Sequence, residues 1–118
     1  MKNEELKNRT KQFAHRCVKL ALELSKGQLG KHVAGQLIRC STSVAANYRA
    51  TCVAQSKASF VSKISIVLEE VDESLFWLEF IVDEDLMDKT LVEPLLKEAK
   101  ELTAIFYASR KTAKKNEK

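Results

Sequence analysis

Between Ser56 and Glu84 the apolar residues Phe60, Ile64, Val67, Val71, Leu75, Leu78 and Val82 recur at steps of three and four. That spacing stacks them in one stripe of a long amphipathic α-helix. A second, partly apolar stripe carries Ile66, Trp77 and Phe80, with Ser59 and Glu73 in the same sector. A helix with two such sectors needs cover on more than one side. It is expected to be the central rod against which other helices, or other subunits, pack.

The same period marks three more segments. Leu6, Thr10, Phe13, Cys17, Leu20, Ala21 and Leu24 share one face of a helix predicted over 4–25, and Lys2, Arg9 and Arg16 run along its flank. Gly27 and Gly30 bracket a short loop, with Gly27 placed to end that helix in a left-handed conformation. A second helix over 31–52 turns Val33, Leu37, Cys40, Val44, Tyr48 and Thr51 inward. Its other side is small at Gly35, Ala46 and Ala50 and polar along Arg39, Ser43 and Asn47. Ser56 is the expected N-cap of the central helix. That helix runs into Asp83-Glu84-Asp85, where acids oppose the macrodipole, so its end is expected to fray. Thr90 to Glu93 reads as a capping box with Pro94 still in the first turn. The last helix then continues to about residue 110, with Val92, Leu95, Ala99, Leu102, Phe106 and Ser109 inward. Residues 111–118 form a charged tail, either more helix or disordered.

Four helices joined by three short connections imply an all-α, antiparallel up-down-up-down four-helix bundle over residues 1–110. With 118 residues there is room for one core, and three glycines and one proline leave few breaks. No apolar run is long enough to span a membrane and the first residues lack a signal-peptide core, so the cytosol is the expected compartment and no membrane partner is expected. Cys17, Cys40 and Cys52 are an odd, widely spaced set, read as small hydrophobes rather than a disulfide framework or zinc site.

Catalytic chemistry is not visible. His15 and His32 stand alone, outside any metal motif, and Glu69, Glu70 and Glu73 have no matching Glu and His on another helix for a di-iron centre. The chain is therefore expected to be no enzyme and to need no metal or cofactor. Charge is distributed in blocks. Residues 1–63 hold 12 Lys and Arg against 3 Asp and Glu, residues 64–109 hold 3 against 12, and residues 110–118 hold 5 against 1. Either the basic and acidic blocks attract each other within the fold or between subunits, or the basic face meets nucleic acid.

If the turn between the second and third helices centres near 54–55, Arg39 lies level with Glu70 and Gln36 level with Glu73. Arg39 then either pairs across the helices or, with Asn47, faces a ligand. Trp77 and Phe80 are either core or interface residues or platforms for RNA bases.

The stretch from Gln36 to Glu79 also resembles the four-helix-bundle proteins encoded in intervening sequences of 23S rRNA genes. The resemblance rests on Gln36, Leu37, Arg39, Ser43, Val44, Ala46, Asn47 and Tyr48, then Ser56, Phe60, Lys63, Glu70, Glu73, Trp77 and Leu78. The opening FAHRCVKLALEL fits the family's first helix. The resemblance implies an antiparallel bundle prone to form rings, with five subunits the usual expectation, and a proposed association with RNA or the ribosome. Related bundle rings serve as accessory subunits of diversity-generating reverse transcriptases. One departure is that Val53 and Gln55 stand where many relatives have basic residues.

The sequence reading is thus a homo-oligomeric bundle that binds structured RNA by phosphate neutralisation and shape. The expected contacts are Arg9, Arg16, Arg49, Lys57, Lys63, Arg110, Lys111, Lys114 and Lys115. Ile66, Trp77 and Phe80 are the expected subunit interface, and Gln36, Arg39, Ser43, Asn47, Glu70 and Glu73 are read as structural. The alternative is a protein-binding ring scaffold.

Overall fold

The computed structural model describes residues 2–24 and 26–116. Within them the chain forms α1 (Asn3–Glu23), α2 (Gly27–Thr51), α3 (Lys57–Asp83) and α4 (Lys89–Lys115), with no strand among the described residues. Successive helices run antiparallel. Asn3 at the start of α1 accepts from the Tyr48 hydroxyl near the end of α2 at 3.4 Å, and Lys57 at the start of α3 donates to the Asn116 carbonyl just past α4 at 3.2 Å. The rod measures 50 × 21 × 19 Å. Its core is built around Phe13, Leu37, Ile64, Leu78 and Phe106, all fully buried. Cys17 and Cys40 lie in that core, where burial pushes their thiols up to about 12 and about 11, so they behave as inert hydrophobes.

The inward faces follow the 3.6-residue period, with one adjustment in α3. Its fully buried line is Ile64, Val67, Val71, Ser74, Leu78 and Ile81, while Phe60, Leu75 and Val82 are half-buried at its edge. The line passes through Ser74 because a serine can satisfy itself inside a helix. Its hydroxyl donates to the Glu70 carbonyl at 2.8 Å and lies 3.3 Å from Cys40 Sγ. Ser109, expected inward, is likewise half-buried.

The helix ends depart more from expectation. Gly27 is left-handed, with φ 71°, but it opens α2 instead of closing α1. Gly30 lies inside α2, where a Cβ would sit 2.1 Å from the Leu24 carbonyl oxygen, so glycine lets α2 start directly against the end of α1. The expected loop between the two glycines is therefore helix, and α2 already begins at Gly27. Ser25, the last residue of the predicted first helix, lies outside the described residues.

The end of α3 does not fray. Asp85 adopts φ 52°, its N–H donates to the Val82 carbonyl at 3.1 Å, and the N–H of half-buried Leu86 donates to the Ile81 carbonyl at 3.0 Å. This is a Schellman stop in which Asp takes the position usually held by Gly. The predicted Ser56 cap is present, accepting from the Ser59 N–H at 3.0 Å.

At the start of α4 the cap is Asp88, not Thr90. The Asp88 carboxylate accepts from the Thr90 N–H at 2.9 Å and from its hydroxyl at 2.8 Å, which holds that carboxyl below its usual range. Pro94 consequently sits beyond the first turn, where its missing N–H costs one helical hydrogen bond. The far end of α4 passes through residue 110 and continues to Lys115, so the helical alternative holds for the first part of the tail. Glu117 and Lys118 lie outside the described residues.

Three of the four helix seams are tightly packed, while α1 and α4 meet along much less of their length. Arg9 bridges that looser seam. Toward the chain ends the seam opens into a neutral groove of about 580 Å³ over Tyr48, Phe60, Ile105 and Ala108.

A candidate nucleic-acid interface at one end of the bundle

Antiparallel packing brings the start of α1, the end of α2, the start of α3 and the end of α4 to one end of the rod. Residues 2–11, 45–64 and 104–116 share that end and hold 11 Lys and Arg against 2 Asp and Glu. Residues 17–34 and 74–97 share the other end and hold 5 against 7, with Asp83, Glu84, Asp85 and Asp88 grouped at the α3–α4 turn. A difference between the two ends is thus added to the sequence blocks, of which the basic one covers α1 and α2 and the acidic one most of α3 and α4, and the ion pairs Arg9–Glu98 and Arg39–Glu70 join the two blocks within the fold. The first end is therefore strongly positive and the second weakly negative.

The predicted contacts fall into distinct groups. Lys57, Arg110, Lys111, Lys114 and Lys115 come together where α3 begins and α4 ends. The Lys57 ammonium reaches the Asn116 carbonyl, and the three α4 lysines are exposed. Arg110 is half-buried, with its guanidinium 5.9 Å from the centre of the Tyr107 ring. Lys63 is half-buried farther along α3. Arg49 lies on another side, on the rim of an α1–α2 groove of about 590 Å³ that also holds Lys7, Lys11 and His15 over a floor of Ala14, Ala45 and Ala46. Arg16 is exposed on α1 toward the middle of the rod and is not brought to the others.

Arg9 differs from the other predicted contacts in its partners. Its Nε and Nη2 donate to the two Glu98 carboxylate oxygens at 2.8 and 2.7 Å, and Nη2 also donates to Glu101 at 2.8 Å. These hydrogen bonds, Glu98 first, raise the guanidinium pKa further above its ordinary value. A cation held by two carboxylates has little charge left for a phosphate, so Arg9 is a clamp between α1 and α4.

Arg39 makes the matching clamp between α2 and α3. It donates to Glu70 at 3.4 Å, as its level predicts, and also to Glu73. Glu73 was expected opposite Gln36. Instead it accepts from Arg39 and from Trp77 Nε1, the latter at 3.2 Å, while Gln36 is half-buried. The Arg39 hydrogen bond, more than the indole, holds the Glu73 carboxyl below its usual range. Asn47 Nδ2 donates to the Ser43 carbonyl at 2.9 Å and to the Ser43 hydroxyl at 2.8 Å. Both members of the ligand-facing alternative, Arg39 and Asn47, thus have partners within the fold.

The outer face of α3 is aromatic. Trp77 and Phe80 are half-buried with ring centres 5.7 Å apart, Ile66 is 42% exposed, and Phe76 is 51% exposed. Phe76 lies 4.9 Å from Trp77 and 6.0 Å from Phe80, and the His32 ring meets the indole edge-on at 5.7 Å. Phe76 belongs to this cluster but not to the stripe read from the sequence. Its proximity to Trp77 in the chain is the signal that could have found it. Tyr107 was missed similarly: it is 54% exposed beside the basic end of α4, next to the buried Phe106. Among the described residues no cluster of His, Cys, Asp and Glu could hold a metal, and no helix is long and apolar enough to cross a membrane.

A family model described as 23S rRNA-intervening sequence protein matches residues 2–108. The chain is also similar to a crystal structure of a Bacteroides thetaiotaomicron protein with unknown function from the S23 ribosomal protein family. The two are 30% identical, with a TM-score of 0.86 over 94% of this chain and 99% of that one. No curated protein matches the chain.

Proposed function

This chain belongs to the family of 23S rRNA-intervening sequence proteins, and from that premise we propose a non-enzymatic, self-associating, cytosolic bundle that binds structured RNA through its basic end. One observation carries the reading: cations far apart in sequence, from Arg49, Lys57 and Lys63 to Arg110, Lys111, Lys114 and Lys115, collect at one end, where Glu4 and Glu5 are the acids of the same segments and Glu98 and Glu101 are taken up by Arg9. The mechanism is neutralisation of phosphates by flexible side chains, with specificity from RNA shape. Self-association through Ile66, Phe76, Trp77 and Phe80, in a ring of five or another closed number, would multiply a weak contact by holding several basic ends on one RNA.

The test is to titrate the protein with an RNA hairpin carrying single-stranded arms, at salt from about 50 to 200 mM. Binding that weakens steeply with salt supports the reading. Absence of binding at the lowest salt overturns it. The aromatic face of α3 favours a second reading, a scaffold for a protein partner such as a reverse transcriptase. In that case Phe76→Ser would abolish partner capture, while charge removal from α4 would leave it intact.

A further inference from the structure

We infer that the outer face of α4 is a track for an unpaired RNA strand, with Tyr107 as the platform on which one base stacks. The inference rests on the RNA-binding reading and specifies which RNA element is taken by the basic end and the α4 face that runs from it toward the middle of the rod.

Lys97, Lys100, Ala104, Tyr107, Lys111 and Lys114 are spaced by alternating steps of three and four, and all are exposed. They therefore form one continuous stripe along the helix, about 26 Å long at about 1.5 Å per residue. None of its four lysines has a carboxylate within ion-pair distance among the described residues. The nearby acids of α4 are engaged elsewhere: Glu98 and Glu101 hold Arg9, and Glu93 pairs with Lys89 at 3.6 Å. The macrodipole accounts for cations in the last turn of a helix, which covers Lys114 and Lys115. It does not account for Lys97 and Lys100, which lie well before that turn.

Tyr107 is the one aromatic residue of the stripe, with cations on both sides. Arg110 stands 5.9 Å from its ring centre, and the residue remains 54% exposed. A ring held by a cation yet open to solvent suits base stacking, with the lysines tracking phosphates on either side. A duplex keeps its bases stacked inside and would offer such a ring nothing. An unpaired strand offers a base face.

The test compares Tyr107→Ala and Tyr107→Phe against a fluorescein-labelled single-stranded oligoadenylate and a blunt RNA duplex of the same length. Circular dichroism and light scattering check that fold and assembly hold. Tyr107→Ala should weaken single-strand binding by about 5- to 150-fold, the range for one stacked base, and leave duplex binding unchanged. Tyr107→Phe should bind as the wild type does, because stacking uses the ring and not the hydroxyl. Lys97→Gln/Lys100→Gln, which spares the ring, should also weaken single-strand binding. Unchanged single-strand affinity in Tyr107→Ala, with a loss in Lys111→Gln/Lys114→Gln, would overturn the platform while leaving the basic-end reading standing. An equal loss in Tyr107→Ala and Tyr107→Phe would overturn stacking in favour of the hydroxyl. A wild-type protein that binds neither the oligoadenylate nor the hairpin would overturn both.

Discussion

The outer faces of α3 and α4 are neighbours on the same rod, yet they differ in chemistry. Each helix has 27 residues and buries one apolar line in the shared core. Outward, α3 shows Ile66 and Phe76, flanked by Trp77 and Phe80, which are half-buried against the core, among Glu69, Asp72, Glu79 and Asp83, whereas α4 shows Lys97, Lys100, Tyr107, Lys111 and Lys114. Core packing demands the inward lines and is indifferent to the outward ones. The contrast underlies the proposed division of roles: an acidic aromatic face would repel RNA and suit a protein surface, while a basic face with one ring would suit an RNA strand.

The strongest way to break this comparison is to reverse charge on α4. Lys111→Glu/Lys114→Glu should lower RNA affinity on the order of 100-fold at about 0.1 M salt, since two attractions become repulsions. Assembly size should be unchanged. The complementary change is Ile66→Ser/Phe76→Ser on α3, for which light scattering should show a shift toward monomer with the helical signal retained. An assembly unaltered by that pair would remove the role assigned to α3.

Stability effects should be smaller and should divide between the two arginine clamps. Arg9→Ala leaves Glu98, whose side chain is 15% exposed, without its bidentate partner. Urea unfolding should show a loss of about 1–3 kcal/mol. Arg39, with a side chain 51% exposed, should matter less, because water can replace it. A larger effect for Arg39→Ala than for Arg9→Ala would mean that the tight α2–α3 seam needs its clamp more than the loose α1–α4 seam does.

The smallest effect concerns acid. The Arg39 guanidinium depresses the Glu73 carboxyl in the folded state, so this contribution is full above the ordinary carboxylate pKa of about 4.3 and is lost as pH falls through the lower folded value. Melting temperature should therefore decline in acid, and less steeply in Arg39→Ala.

The inward faces and the bundle topology were legible in the sequence because a single period repeats in all four segments. The Arg39–Glu70 pair was legible because α2 and α3 are joined by a short turn, which makes their levels computable. Arg9 with Glu98 and Glu101 was not, since the first and last helices meet only once the whole bundle closes. Helix ends were also hard to read. Asp85 fills a position usually given to Gly, Asp88 displaces Thr90 as the cap by reaching two donors at once, and Gly30 serves close approach rather than a loop. The lysine stripe was missed because Lys97 and Lys100 fall in the acidic stretch of the sequence and join the basic residues only along the helix face. Ser109, Thr112 and Ala113 line the groove at the open seam, so truncation after Ser109 would remove packing together with charge.

The most direct measurement is the salt dependence of single-strand RNA binding for the wild type and for Lys97→Gln/Lys100→Gln/Lys111→Gln/Lys114→Gln, which removes charge without shortening α4. If the four lysines contact phosphates, the slope of log K against log salt should become shallower by about 3 units, at roughly 0.7 per contact. A variant with the wild-type slope and the wild-type assembly size would show that the basic face of α4 is only a solvated surface, and would contradict the account.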